Sequence, residues 1–252
     1  MMNDVIELRQ YTLHPQRRET LIDLFDREFV ETQEAVGMAV LGQFRDLDDP
    51  DRFVWLRGFA DMPSRAEALG RFYGGPVWKA HRDQANATMI DSDNVLLLRP
   101  ARARPVRARP VRARPARTRP TRAQPARAHY GFPAATRHPV GHTTPPPSLV
   151  LATLYYQDQP FDETFVDFFD SQMRPALVET GATPLACFQT EHAENAFPAL
   201  PVRTGENVFV WFARFPSQAR LSDHLHQVER SGLWQGQPQH LRLSPTTRSL
   251  LR

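Results

Sequence analysis

Apolar and polar positions alternate with a period of two from Val5 to Leu13: Ile6 and Leu8 share one face, and Glu7, Arg9 and Tyr11 share the other. That period predicts a strand with one apolar and one polar side. His14-Pro15 ends it, and Leu21, Leu24, Phe25 and Phe29 at helical spacing predict a helix over residues 16–35, stopped by Gly37. Residues 38–47 read as a second strand, and the turn Asp48-Asp49-Pro50-Asp51 leads into an aromatic strand over 52–59. Helical stretches at 64–72 and 77–90, split by Gly74-Gly75-Pro76, precede a strand at 94–99. The same order then returns. A strand is expected at 149–157, a helix at 161–180 with Phe165, Phe168, Phe169 and Leu177 inward, and strands at 182–189 and 207–215 around a longer loop. A helix at 218–230 and a last strand near 248–251 complete it. The order β-α-β-β-α-β predicts an α+β chain of two ferredoxin-like units with antiparallel sheets.

The residues themselves also repeat. Phe53-Val54-Trp55-Leu56-Arg57-Gly58-Phe59 returns as Phe209-Val210-Trp211-Phe212-Ala213-Arg214-Phe215, and Trp78 and Trp234 recur near the end of each unit as expected core anchors. A site that one copy has lost belongs to the other alone. In this alignment Glu7 falls on Leu151, Arg9 on Thr153 and Arg57 on Ala213, while Tyr11 and Trp55 keep Tyr155 and Trp211 as counterparts.

Charge changes the picture between the units. Eleven arginines lie in residues 100–147, and without them 20 basic residues face 28 acidic ones, a net charge of −8 beneath the formal +3. Proline at 105, 110, 115, 120 and 125 removes hydrogen-bond donors, and arginine repulsion extends the chain, so 100–147 reads as a disordered linker between domains at 1–99 and 148–252. It has no interleaved aromatics, and the chain uses arginine almost everywhere. A spacer is therefore favoured over a nucleic-acid or anionic-membrane arm. The lone Cys187 sits in an apolar stretch and suits an inert thiol in a reducing cytoplasm. No secretory signal and no membrane-spanning run are expected.

Glu7-Leu8-Arg9-Gln10-Tyr11-Thr12-Leu13, the stretch 44–59, and Gly75-Pro76-Val77-Trp78-Lys79-Ala80-His81-Arg82 resemble the NIPSNAP family. The resemblance is strong over 3–99, weaker over 148–252 and absent from the linker. It implies the dimeric α/β-barrel superfamily, in which two ferredoxin-like sheets pack face to face, and the linker is long enough for both units to form that barrel within one chain. It implies little chemistry, because the family's activity is unsettled.

In such a barrel, Ile6 and Leu8 are expected to pack on the helices and Glu7, Arg9, Tyr11, Trp55 and Arg57 to face the interior as a ligand site. Buried charges must be paired or must bind something, and arginines suit an anionic or carbonyl-bearing ligand. The competing reading is that Glu7 simply pairs with Arg9 or Arg57 and stabilises the interface. Tyr11, Arg57 and His81 are the candidate catalytic groups if the chain is a cofactor-independent monooxygenase or isomerase acting on an aromatic or polyketide-like substrate. His224 and His226, two apart on a helix, and His138 and His142 in the linker make poor metal pairs. No zinc spacing, phosphate loop, nucleophile elbow or dinucleotide fingerprint occurs, so no cofactor and no metal are expected. The sequence therefore points to a small-molecule or protein-partner binder, with a homodimer left open.

Overall fold

The computed structural model describes residues 3–101, 132, 135–232 and 236–252. Trp234 and most of the Arg/Pro linker, including the expectation of disorder over 102–131, lie outside the described residues. The first half runs β1 (Val5–Leu13), α1 (Arg18–Leu24), a π-helical turn at Phe25–Phe29, α2 (Val30–Glu34), β2 (Ala39–Asp46), β3 (Arg52–Phe59), α3 (Met62–Tyr73), α4 (Pro76–Asn86), β4 (Met89–Asp91) and β5 (Val95–Pro100). The second runs β6 (Leu149–Gln157), α5 (Glu163–Phe168), a π-helical turn at Phe169–Met173, α6 (Arg174–Glu179), β7 (Pro184–Thr190), β8 (Asn207–Phe215), α7 (Gln218–Ser231) and β9 (Gln239–Pro245).

Strand order is β5-β1-β3-β2 in the first half and β9-β6-β8-β7 in the second, antiparallel throughout. The halves join edge to edge through β2–β9 and β5–β7, which closes an eight-stranded ring within one chain. Closure leaves the main strands without open edges. The short β4 adds to the rim of β1.

The barrel interior is apolar. Ile6, Leu8, Val54, Leu56, Leu96 and Leu98 meet Val150, Ala152, Leu154, Val210, Phe212 and Leu243 in one buried cluster. This inverts the sequence-based orientation: Ile6 and Leu8 point into the barrel, and Glu7, Arg9, Tyr11, Trp55 and Arg57 lie between sheet and helices, where Tyr11 and Trp55 join the helix-side core. The reason is volume. Side chains fill an eight-stranded barrel from both sheets, and hydrocarbon fills it without unpaired charge. Gln10, on the Ile6–Leu8 face of β1, is buried, and neither of its amide atoms has a partner among the described residues.

Three further expectations are corrected. The helix expected over 77–90 ends at Asn86, and Met89–Asp91 turns back as β4. The last strand is Gln239–Pro245, where Leu241 and Leu243 alternate inward; the apolar Leu250-Leu251 run that suggested 248–251 is irregular tail, with Leu251 packed in the barrel core. Gly42 makes room there, since a Cβ would stand 2.5 Å from the Phe44 ring and 3.3 Å from Leu251. Phe168 is 44% exposed rather than inward, while its neighbours Phe169 and Met173 in the π turn are buried. Two described residues of the linker interval are docked. Phe132 packs on Phe188 and Phe212, and Arg137 reaches Glu34 at 2.8 Å and the Arg248 carbonyl at 2.6 Å.

The two neighbouring phenylalanines give a direct check. Phe169→Ala should lower the unfolding free energy in urea by about 3–5 kcal/mol, whereas Phe168→Ala should change it by less than about 1 kcal/mol.

Candidate functional site

The antiparallel register of β1 and β3 sets Glu7 opposite Arg57, Arg9 opposite Trp55 and Tyr11 opposite Phe53. All these side chains leave the sheet on its helix side. From above, α3 starts at Asp61, whose carboxylate accepts from the Ser64 backbone N–H, and presents Arg65 four residues later. Gln33 comes from α2.

Three guanidiniums converge on one carboxylate. Glu7 Oε2 accepts from Arg9 Nη1 at 2.6 Å and Arg57 Nε at 2.7 Å, and Glu7 Oε1 accepts from Arg65 Nε at 2.6 Å. Arg9 Nε donates to the Tyr11 hydroxyl at 2.9 Å, Arg57 Nη1 to Gln33 Oε1 at 3.1 Å, and Arg65 Nη1 to Asn195 Oδ1 at 2.9 Å. The Trp55 ring lies 5.0 Å from the Arg57 guanidinium and 5.5 Å from that of Arg9, within cation–π range. Glu7, Arg57 and Arg65 are 0% exposed and Arg9 is 1% exposed.

Burial alone would raise the Glu7 pKa, but Arg57, Arg9 and Arg65 together hold its carboxyl well below the usual carboxylate range. Burial works against charge on Arg9 too, yet Tyr11 and Glu7 keep it protonated, with its pKa raised. Burial pushes the Tyr11 phenol up, against the field of Arg9. Three positive groups thus face one negative group, an excess of two buried positive charges. Nη2 of Arg57 and Nη2 of Arg65 have no hydrogen-bond partner among the described residues, and neither does Trp55 Nε1.

The second half carries the same backbone without the charges. Leu151 lies opposite Ala213 and Thr153 opposite Trp211, the register positions of Glu7–Arg57 and Arg9–Trp55. Leu221, four residues after the capping Ser217 of α7, stands where Arg65 stands after Asp61. Leu151, Thr153, Ala213 and Leu221 are all buried.

The structure therefore brings Glu7, Arg9, Tyr11, Trp55 and Arg57 together, and the expected Glu7 pairings with Arg9 and Arg57 are present. It leaves His81 out: that ring packs on Phe29 and stands 3.6 Å from the Glu28 carboxylate. Sequence reasoning missed Arg65, Gln33 and Asn195. Extending the repeat alignment through the helix caps would have exposed Arg65 against Leu221; nothing in the pattern marks Gln33 or Asn195. Elsewhere, His224 is buried, bonded to Thr180 at 2.8 Å and pushed down to about 4 by burial, and Cys187 is buried with its thiol pushed up to about 12. Among the described residues no cluster of His, Cys, Asp or Glu has the makings of a metal site, and no helix is long and apolar enough to cross a membrane.

Barrel and strand order define an α+β protein of the dimeric α/β-barrel type, closed here within one chain. Residues 6–105, the stretch that holds Glu7, Arg9, Arg57 and Arg65, match the NIPSNAP family model. No curated protein matches the sequence. Among solved structures, a NIPSNAP family protein of unknown function from Agrobacterium tumefaciens is 22% identical over 40% of this chain and 91% of its own, with a TM-score of 0.37. A NIPSNAP-like domain protein from Burkholderia xenovorans is 24% identical over 40% of this chain and 88% of its own, with a TM-score of 0.36. A protein from Fusobacterium nucleatum, whose name proposes a monooxygenase, shares the whole architecture: it covers 96% of this chain and 92% of its own at 7% identity, with a TM-score of 0.51. At that identity the likeness is one of fold alone.

Glu7 is the only carboxylate in the cluster, so Glu7→Leu should lower the unfolding free energy by about 3–5 kcal/mol at neutral pH, through uncompensated guanidiniums. Because the folded Glu7 pKa lies below its ordinary 4.5, its contribution is complete above that pH and is lost only as pH falls further. The gap between wild type and variant, followed by urea unfolding, should accordingly stay constant from pH 8 to pH 5 and narrow only below about 4.5.

Proposed function

We propose that this protein binds a small molecule bearing a carboxylate or phosphate group at the Glu7–Arg9–Arg57–Arg65 cluster of its first half. The observation that carries this reading is the excess of two buried positive charges, with Nη2 of Arg57 and of Arg65 unpartnered among the described residues. A purely structural ion network would be expected to balance its charge, since each uncompensated buried ion costs several kcal/mol. The second half supports the same reading, because Leu, Thr, Ala and Leu occupy the four equivalent positions of a similarly ordered half-barrel. Enclosure favours a small molecule over a protein partner, whose surface would need the cluster exposed.

The oxygenase or isomerase reading has less behind it. His81 packs away from the cluster, and the raised Tyr11 pKa makes that phenol a poor base at neutral pH.

Native mass spectrometry of gently purified full-length protein, joined to thermal unfolding with added malonate or inorganic phosphate, tests the proposal. A reproducible extra mass or a rise in Tm is expected, and both should vanish in Arg57→Met/Arg65→Leu, which removes the excess charge. A clean apo mass together with no Tm response to either anion would refute the reading.

A further inference from the structure

The two halves differ at one hairpin. In the first, β2 and β3 are joined by five residues, 47–51; in the second, β7 and β8 are joined by sixteen, 191–206. The long segment crosses to the other half. It is pinned at both ends to β5, where the Glu191 N–H donates to the Leu97 carbonyl at 2.8 Å and the Arg203 N–H to the Val95 carbonyl at 2.9 Å. Between the pins it is irregular and mostly exposed.

Three side chains tie this stretch down over the charged cluster. Phe197 stacks on Tyr73 of α3 with centroids 6.2 Å apart, Leu200 packs on the helix-side core, and Asn195 Oδ1 accepts from Arg65 Nη1 at 2.9 Å. Asn195 is itself held in place: its Oδ1 also accepts from the Phe197 N–H at 3.1 Å, and its Nδ2 donates to the Leu200 carbonyl at 2.9 Å. A neutral amide thus occupies a fully buried guanidinium that a carboxylate or phosphate would bind more strongly. No other member of the cluster is held by a residue of the second half in the hydrogen bonds described above.

We infer that segment 191–206 is the gate of the charged site and that Asn195 is its latch, so that an entering oxyanion takes over the place of the Asn195 carbonyl on Arg65. The inference rests on the ligand-site reading above and deepens it: the half that lacks the charges supplies the cover for the half that has them. Asn195 is then a positioning residue, and selectivity follows. A neutral ligand gains nothing over the amide it must displace, whereas an anionic group exchanges a neutral hydrogen bond for a charge-assisted one.

The test needs no knowledge of the natural ligand. Hydrogen exchange across the amides of 192–203 is measured in the full-length wild type, Asn195→Asp and Asn195→Ala. Asn195→Asp gives up the Nδ2 bond to the Leu200 carbonyl but places a carboxylate on the buried Arg65, and because the charge-assisted bond is the stronger of the two it should slow exchange by roughly threefold while raising Tm; Asn195→Ala, which loses both bonds, should speed exchange. Exchange and Tm in Asn195→Asp unchanged from wild type would overturn the latch. Malonate and inorganic phosphate are then added as separate probes. A probe that binds should speed exchange in 192–203 of the wild type and bind at least about tenfold more weakly to Asn195→Asp. Probe binding with 192–203 exchange unaltered would overturn the gate while leaving the ligand-site reading intact. A latch response in Asn195→Asp with no binding of either probe would support the latch and count against that reading.

Discussion

One carboxylate holds three guanidiniums in the dry space between a sheet and its helices. Glu7 receives Arg9 and Arg57 on one oxygen and Arg65 on the other, and those three come from β1, β3 and α3. The hydrogen bonds therefore tie two neighbouring strands to the helix that crosses them. Because all four groups are almost fully buried, the attraction acts at low effective dielectric, and so does the mutual repulsion of the guanidiniums. Cation–π contacts with Trp55 and Tyr11 offset part of that repulsion but add no negative charge. The remaining imbalance is what gives the cluster a reason to attract an anion.

The barrel supplies both the scaffold and the control. Edge pairing of β2 with β9 and β5 with β7 lets one chain do what two copies would otherwise do, and it frees the halves to differ. At the four positions where the first half is charged, the second has Leu151, Thr153, Ala213 and Leu221. Where the first half has a tight turn, the second has the segment that reaches Arg65. A charged half with a tight turn beside an uncharged half with a long crossing segment is the asymmetry that the proposed single site requires.

Most of the architecture was legible from periodicity, because strands and helices with one buried face must repeat every two or every 3.6 residues. The faces were harder. In β1 both sides are buried, one against the opposite sheet and one against helices, so alternation of Ile6 and Leu8 with Glu7 and Arg9 showed that two faces exist without showing which was which. The assumption that polar residues line the barrel failed because hydrocarbon from eight strands already fills it. Phe168 failed for a different reason: it sits at the same place before a π turn as the buried Leu24 of the first half, and nothing in the helical spacing distinguishes the exposed residue from the buried one. The charged set itself was visible because its second copy lacks it. Arg65 needed the repeat carried on through the helix caps, where it falls against Leu221, and Asn195 joins the cluster through a tertiary contact from a loop that carries no local signature.

In the proposed ligand site the charges serve the ligand, and the scaffold does not need them. The most direct measurement is the unfolding free energy of the unliganded variant Glu7→Leu/Arg9→Met/Arg57→Met/Arg65→Leu against wild type, in urea at neutral pH. Replacing a whole buried ion cluster by apolar side chains of similar volume is commonly neutral or stabilising, and the variant is expected to be at least as stable as wild type. A variant that loses about 3 kcal/mol or more would return the cluster to a structural role.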